Sequence, residues 1–130
     1  MLTPIIAPSM MCVEYARFAE TLHLFEQNGV GLLHVDVMDG VFVKNYTLGT
    51  DFCRNLRKMT SIPLDLHLMI TEPEWKIAWF DVMPGEWVSV HAEATDHLQR
   101  ALAAIRSAFS AISCALNSVF CTSALAAASA

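Results

Sequence analysis

Short apolar runs and amphipathic stretches take turns along the first two thirds of this chain. Ile5-Ile6-Ala7, closed by Pro8-Ser9, predicts a short buried strand. Residues 14–27 carry Phe18, Leu22 and Phe25 at helical spacing and run into Asn28-Gly29, a good helix stop. The run 32–38 then reads as a strand ended by Asp39-Gly40, and residues 51–59 as a helix with Asp51 near its start and Phe52 and Leu56 on one face. The rhythm repeats with a strand at 63–69, a short helix at 72–80, a strand at 87–91, and a helix at 96–107 with Leu98, Leu102 and Ile105 on one side. Strands alternating with helices predict βαβ units around a parallel sheet, and near-continuous apolar strands fit a sheet covered on both faces. Residues 111–117 pass for a fifth strand, whereas 118–130 is an uncharged Ala/Ser/Cys-rich tail with little to cap a helix or fill a core.

Side chains at i and i+2 of a strand share a face. His34, Asp36 and Met38 therefore lie opposite Leu33, Val35 and Val37, and Asp65, His67 and Met69 lie opposite Leu64, Leu66 and Leu68. Ser89 and His91 repeat the arrangement opposite Val88 and Val90. The apolar face suits packing under helices, which turns a face rich in His and Asp towards a barrel interior or cleft. An unpaired buried carboxylate costs several kcal/mol or more, so a partner is required. One histidine on a strand is ordinarily a hydrogen-bonded core residue, and a His–Asp pair within a strand can be a plain ion pair. Two such motifs in mirrored order on consecutive strands, His34-Val35-Asp36 and Asp65-Leu66-His67, point instead to one divalent-metal site. In a parallel α/β barrel the active site lies at the carboxyl ends of the strands, where Ser9, Asp36, Met38, His67, Met69 and His91 all fall. His23 and His97 read as surface residues.

Composition narrows the classes. The 130 residues suit one domain, and a hydrophobic share of 55% with 16% charged residues argues for much buried surface. A formal charge of −5 disfavours nucleic acid or an anionic membrane as the main partner. Four scattered cysteines form no C-x-x-C pair, and no run approaches the roughly 18 to 20 apolar residues of a membrane span. The expectation is a cytoplasmic domain with reduced thiols.

Together, Ile6-Ala7-Pro8-Ser9, His34-Val35-Asp36-Val37-Met38-Asp39-Gly40, Pro63-Leu64-Asp65-Leu66-His67-Leu68-Met69 and Ser89-Val90-His91-Ala92-Glu93 resemble the ribulose-phosphate 3-epimerase family, in order and at the family's spacing. Ser9-Met10-Met11-Cys12 is also similar to related epimerases acting on allulose 6-phosphate. The resemblance implies a (β/α)8 barrel of TIM type that binds ribulose phosphate, with its first four to five βα units in this chain. It implies inversion at carbon 3 of a ketose phosphate through a metal-stabilised enediolate, with ribulose 5-phosphate or a hexulose 6-phosphate as substrate. It assigns His34, Asp36 and His67 to one divalent ion (zinc, iron, manganese or cobalt), with Asp36 also an acid/base catalyst. Ser9 and His67 would contact substrate, and Met38 and Met69 would shield the intermediate.

The chain departs from the family pattern in places. Val43-Lys44-Asn45 stands where the family reads valine-proline-asparagine, and Asn117 is followed by Ser118 rather than proline. Such barrels typically need about 250 residues. The expectation is an N-terminal barrel part over 1–107 and a divergent tail over 108–130, lacking the second catalytic Asp and the phosphate loops. Such a piece would be an impaired epimerase, and its open sheet edges would favour a homo-oligomer. The alternative is a non-catalytic metal-binding or assembly-forming barrel fragment. A decarboxylase or aldolase barrel of the D-x-K-x-x-D kind is disfavoured, because neither polar strand contains a lysine.

Overall fold

The computed structural model describes residues 4–110 and 120–122 of the chain. Its centre is a parallel sheet of four strands in sequence order: β1 (Leu33–Met38), β2 (Leu64–Met69), β3 (Trp87–His91) and β4 (Phe120–Thr122). The connections carry α1 (Phe18–Gln27) before β1, α2 (Thr50–Met59) between β1 and β2, α3 (Pro73–Lys76) between β2 and β3, and α4 (Leu98–Ser110) after β3. Parallel neighbours need such crossovers, so the expected α/β architecture holds.

The apolar face of the sheet is the core. Leu33, Val35, Leu64, Leu66, Leu68 and Val90 have no exposed surface, while the alternate positions in β1, β2 and β3 are only half-buried. Helix residues cover this face at helical spacing: Leu22 from α1, Cys53 and Leu56 from α2, and Ala101, Ile105 and Phe109 from α4. Phe18, Phe25, Phe52 and Leu102 pack at its margin rather than at its centre. A single buried ion pair crosses behind the core among the described residues: Arg57 of α2 donates to both Glu86 carboxylate oxygens at 2.7 and 2.8 Å.

Several elements differ from the sequence expectation. The apolar run at Ile5-Ile6-Ala7 is exposed and forms no strand; Ile5 and Ile6 are 59% and 67% exposed. A strand needs ladder partners, and among the described residues the backbone of this segment meets β1 only through the His34 amide on the Pro8 carbonyl, at 3.0 Å, and a parallel bridge at Ser9. The helix expected over 14–27 opens as a 3₁₀ turn, Tyr15–Arg17, and becomes α-helical at Phe18. It stops where expected, with Gly29 at φ 67°. The helix expected over 72–80 divides into α3 and a 3₁₀ turn, Ile77–Phe80. The last helix runs on to Ser110. The strand expected at 111–117 lies outside the described residues, and the strand that pairs with β3 is Phe120–Thr122, within the stretch read as a tail.

Candidate metal centre

Register does most of the positioning. In the β1–β2 ladder Asp36 stands opposite His67, His34 opposite Asp65, and Met38 opposite Met69. All six lie on the half-buried face, because the alternate positions are committed to the core. Asp36 Oδ1 then sits between two imidazoles, 3.1 Å from His34 Nε2 and 3.0 Å from His67 Nδ1. Its other oxygen accepts a 3.0 Å hydrogen bond from the Ser9 hydroxyl, carried there by the bridge between Ser9 and His34. His34, Asp36 and His67 each turn one ligand atom inward, all within 4.8 Å of one another.

The outward nitrogens also have partners. His34 Nδ1 lies 2.7 Å from Asp65 Oδ2, and His67 Nε2 lies 2.8 Å from His91 Nε2. The His91 ring is tilted 31° to His67 at 5.0 Å and 45° to Phe42 at 5.2 Å, so it is held between them. A cavity of about 470 Å³ opens on this face, lined by His34, Asp65, His67, Trp87, Ser89 and His91 among others.

Electrostatics follows from these contacts. The hydrogen bond with Asp65 raises the His34 pKa, which burial opposes and the nearby carboxylates reinforce. Burial alone would raise the Asp36 pKa, but hydrogen bonds from His67, Ser9 and His34 and the His34 charge outweigh it, and the carboxylate is held ionised. Burial, helped by the charge of His67, lowers that of His91.

A second cluster braces the loops beyond the strands. Asp39 Oδ1 accepts from the Val41 and Phe42 amides at 3.0 and 2.9 Å, and Oδ2 accepts from the Thr71 amide and hydroxyl at 2.8 and 2.9 Å. Lys76 Nζ approaches the same oxygen at 3.4 Å. Gly40 follows at φ 75°, and a Cβ there would lie 2.4 Å from the Tyr46 ring, so a side chain at this turn would strain the backbone and have to displace that ring.

The model of the ribulose-phosphate 3 epimerase family matches residues 5–127. The chain belongs to this family. It is 40% identical over 101 residues to the ribulose-phosphate 3-epimerase of Bacillus subtilis, a match covering 78% of this chain and 46% of that protein. It is 42% identical over 105 residues to the chloroplastic ribulose-5-phosphate-3-epimerase of Arabidopsis thaliana, covering 79% and 37%. With the ribulose-phosphate 3-epimerase of Mycobacterium tuberculosis it shares 44% identity over 96 residues, covering 72% and 40%. The chain thus spans less than half the length of these relatives. Family membership makes its sheet of alternating βα units part of a (β/α)8 barrel.

Of the residues singled out in the sequence, Ser9, His34, Asp36 and His67 come together in one hydrogen-bonded cluster. Met38 and Met69 end the same face in register, two positions beyond Asp36 and His67. Asp65 and His91 were legible as members of the polar face but not as the outer partners of the two imidazoles. The Asp39–Thr71–Lys76 cluster was missed; its only sequence signal is the Asp-Gly turn. His23 and His97 are exposed, as expected. No helix among the described residues is long and apolar enough to cross a membrane.

Proposed function

We propose that this chain carries the amino-terminal catalytic elements of a divalent-metal-dependent ketose-phosphate 3-epimerase, acting on ribulose 5-phosphate and xylulose 5-phosphate or on a hexulose 6-phosphate pair. The observation that carries the reading is the convergence of His34 Nε2, Asp36 Oδ1 and His67 Nδ1. Two imidazole nitrogens and a carboxylate suit zinc, iron, manganese or cobalt, so the donor set fits such an ion. When bound, the ion supplies positive charge against the negative charge that develops on the substrate oxygens as carbon 3 loses its proton.

The chain's own residues account for the rest. Asp36 exchanges the proton at carbon 3, and its ionised state near neutral pH follows from its hydrogen bonds. Ser9 fixes the rotation of that carboxylate through Oδ2, and in this reading it contacts substrate beside it. His67 meets substrate from the neighbouring strand, and Met38 and Met69 keep water from the reacting carbon. Inversion needs an acid and a base on opposite faces of that carbon, and Asp36 is one of them. The 130 residues alone are therefore expected to invert slowly.

The test separates proton exchange from inversion. The chain, loaded with zinc, manganese, iron or cobalt, is given ribulose 5-phosphate in D₂O, and both deuterium entry at carbon 3 and xylulose 5-phosphate are followed by NMR. Deuterium entry above the buffer rate, lost in Asp36→Ala, is the expected result. Metal uptake with neither exchange nor product would favour a non-catalytic metal-binding fragment. The exposed Ile5 and Ile6 beside the outer edge of β1 support association with a second copy, which light scattering in solution tests.

A further inference from the structure

We propose that His91 is the positioning residue for His67, accepting a hydrogen bond from its Nε2–H and so keeping it in the tautomer whose bare Nδ1 faces Asp36 and a divalent ion. The inference rests on the reading of His34, Asp36 and His67 as the ligand set. It adds a residue from β3 that neither completes that set nor touches the reacting atoms.

The argument is one of hydrogen-bond polarity. Two imidazole nitrogens 2.8 Å apart share one proton, since two bare nitrogens have nothing to share and two N–H groups clash. A ring nitrogen that holds a cation must be bare. A neutral His67 that ligates through Nδ1, the nitrogen 3.0 Å from Asp36, therefore carries its proton on Nε2. That proton points at His91 Nε2, which must be the bare acceptor, and His91 keeps its own proton on Nδ1.

Without the ion the same contacts are satisfied in the opposite sense. His67 donates Nδ1–H to Asp36, and its bare Nε2 accepts from His91 Nε2–H. Loading releases the His67 Nδ1 proton to water, passes the His91 Nε2 proton to His67 Nε2, and returns a proton from water to His91 Nδ1. The proton taken up at His91 Nδ1 balances the one lost from His67 Nδ1.

The scaffold keeps His91 in place for this exchange. It is the last residue of β3, on the polar face two positions beyond Ser89, which is in register with His67. Its ring is held between those of His67 and Phe42, and Phe42 is in turn anchored by its amide on Asp39.

The experiment reads tautomers directly. Ring-nitrogen NMR on the ¹⁵N-labelled full chain, before and after saturation with zinc, is expected to show the His91 proton moving from Nε2 to Nδ1 while His67 gains Nε2–H. A His91 that keeps Nε2–H with zinc bound overturns the proposal. Zinc affinity supplies the second readout. His91→Leu removes the acceptor and is expected to weaken binding by about 10- to 100-fold. His91→Gln, whose amide oxygen can accept the same bond, should return affinity to the wild-type range. Equal affinities for the Leu and Gln variants also overturn the proposal. Failure of the underlying ligand reading looks different: a wild-type chain that takes up no zinc, or a His34→Ala variant that binds as tightly as wild type, removes both.

Discussion

The Asp39 carboxylate takes both the amide and the hydroxyl of Thr71, and so locks the loop after β1 to the loop after β2. With Val41, Phe42 and Lys76 on the same group, one side chain at a strand end organises both walls beside the cluster.

Removing it should be costly. Hydrogen bonds to a charged acceptor contribute about 1.5–3 kcal/mol, and Asp39→Ala leaves several donors unpaired. An expected loss of about 2–3 kcal/mol would lower the urea midpoint at neutral pH. A midpoint equal to wild type would show that the loops are held by something else.

The same carboxylate makes an acid-side prediction. Burial opposes its charge, but the Phe42, Thr71 and Val41 amides and the Thr71 hydroxyl outweigh it and hold its pKa far below the ordinary 3.8. A depressed folded-state pKa means that the ionised group stabilises the fold. That stability is fully present above the ordinary value and is lost as pH falls through the folded one. The gap in unfolding free energy between wild type and Asp39→Asn should hold from pH 7 towards 3.8 and shrink below it. A gap that widens on acidification would contradict the sign.

What the sequence made legible follows from what each feature depends on. Strand β3 matches its expected limits end for end, and β1 and β2 lie within a residue of theirs, because apolar alternation is a local signal read every second position. His34, Asp36 and His67 were legible for the same reason, since face membership in two parallel strands nearly fixes who meets whom. Ile5-Ile6-Ala7 has the same local signal, yet strand formation depends on ladder partners that composition does not reveal. Asp39, Thr71 and Lys76 meet only because two irregular loops converge, and no periodicity encodes that. The outer partners of the two histidines needed side-chain rotation as well as face, which lies beyond a pattern of alternation.

Behind the core, Arg57 and Glu86 form a pair whose side chains are 18% and 3% exposed. Glu86 also accepts from the Met83 amide at 2.8 Å, so its carboxylate holds the turn before β3 as well. Arg57→Met alone leaves a buried carboxylate without its cation and should cost about 3–5 kcal/mol. Adding Glu86→Gln removes the stranded charge while keeping an acceptor for Met83, and should recover part of that loss. Thermal or urea unfolding of both variants checks the order; a double variant less stable than the single one would show that the charge itself is not the cost.

The last prediction ranks the histidines and their supports by metal retention. His34 and His67 are proposed ligands, and either alanine variant removes a donor from a three-donor set, so the purified protein should retain no divalent ion. Asp65 touches the centre only through His34 Nδ1, at 2.7 Å, where it orients the ring and fixes which nitrogen is bare. Asp65→Ala should therefore bind metal still, but about 10- to 100-fold more weakly, and Asp65→Asn should fall between it and wild type because its amide oxygen accepts the same N–H. His23 is an exposed residue of α1 whose ring meets Gln27, so His23→Ala is the control and should match wild type. Metal content after desalting, followed by titration of the variants that retain the fold by circular dichroism, gives the order directly. A His34→Ala protein with wild-type stoichiometry would remove His34 from the ligand set. An Asp65→Ala protein that binds as tightly as wild type would mean that the β1–β2 backbone register alone orients the ring.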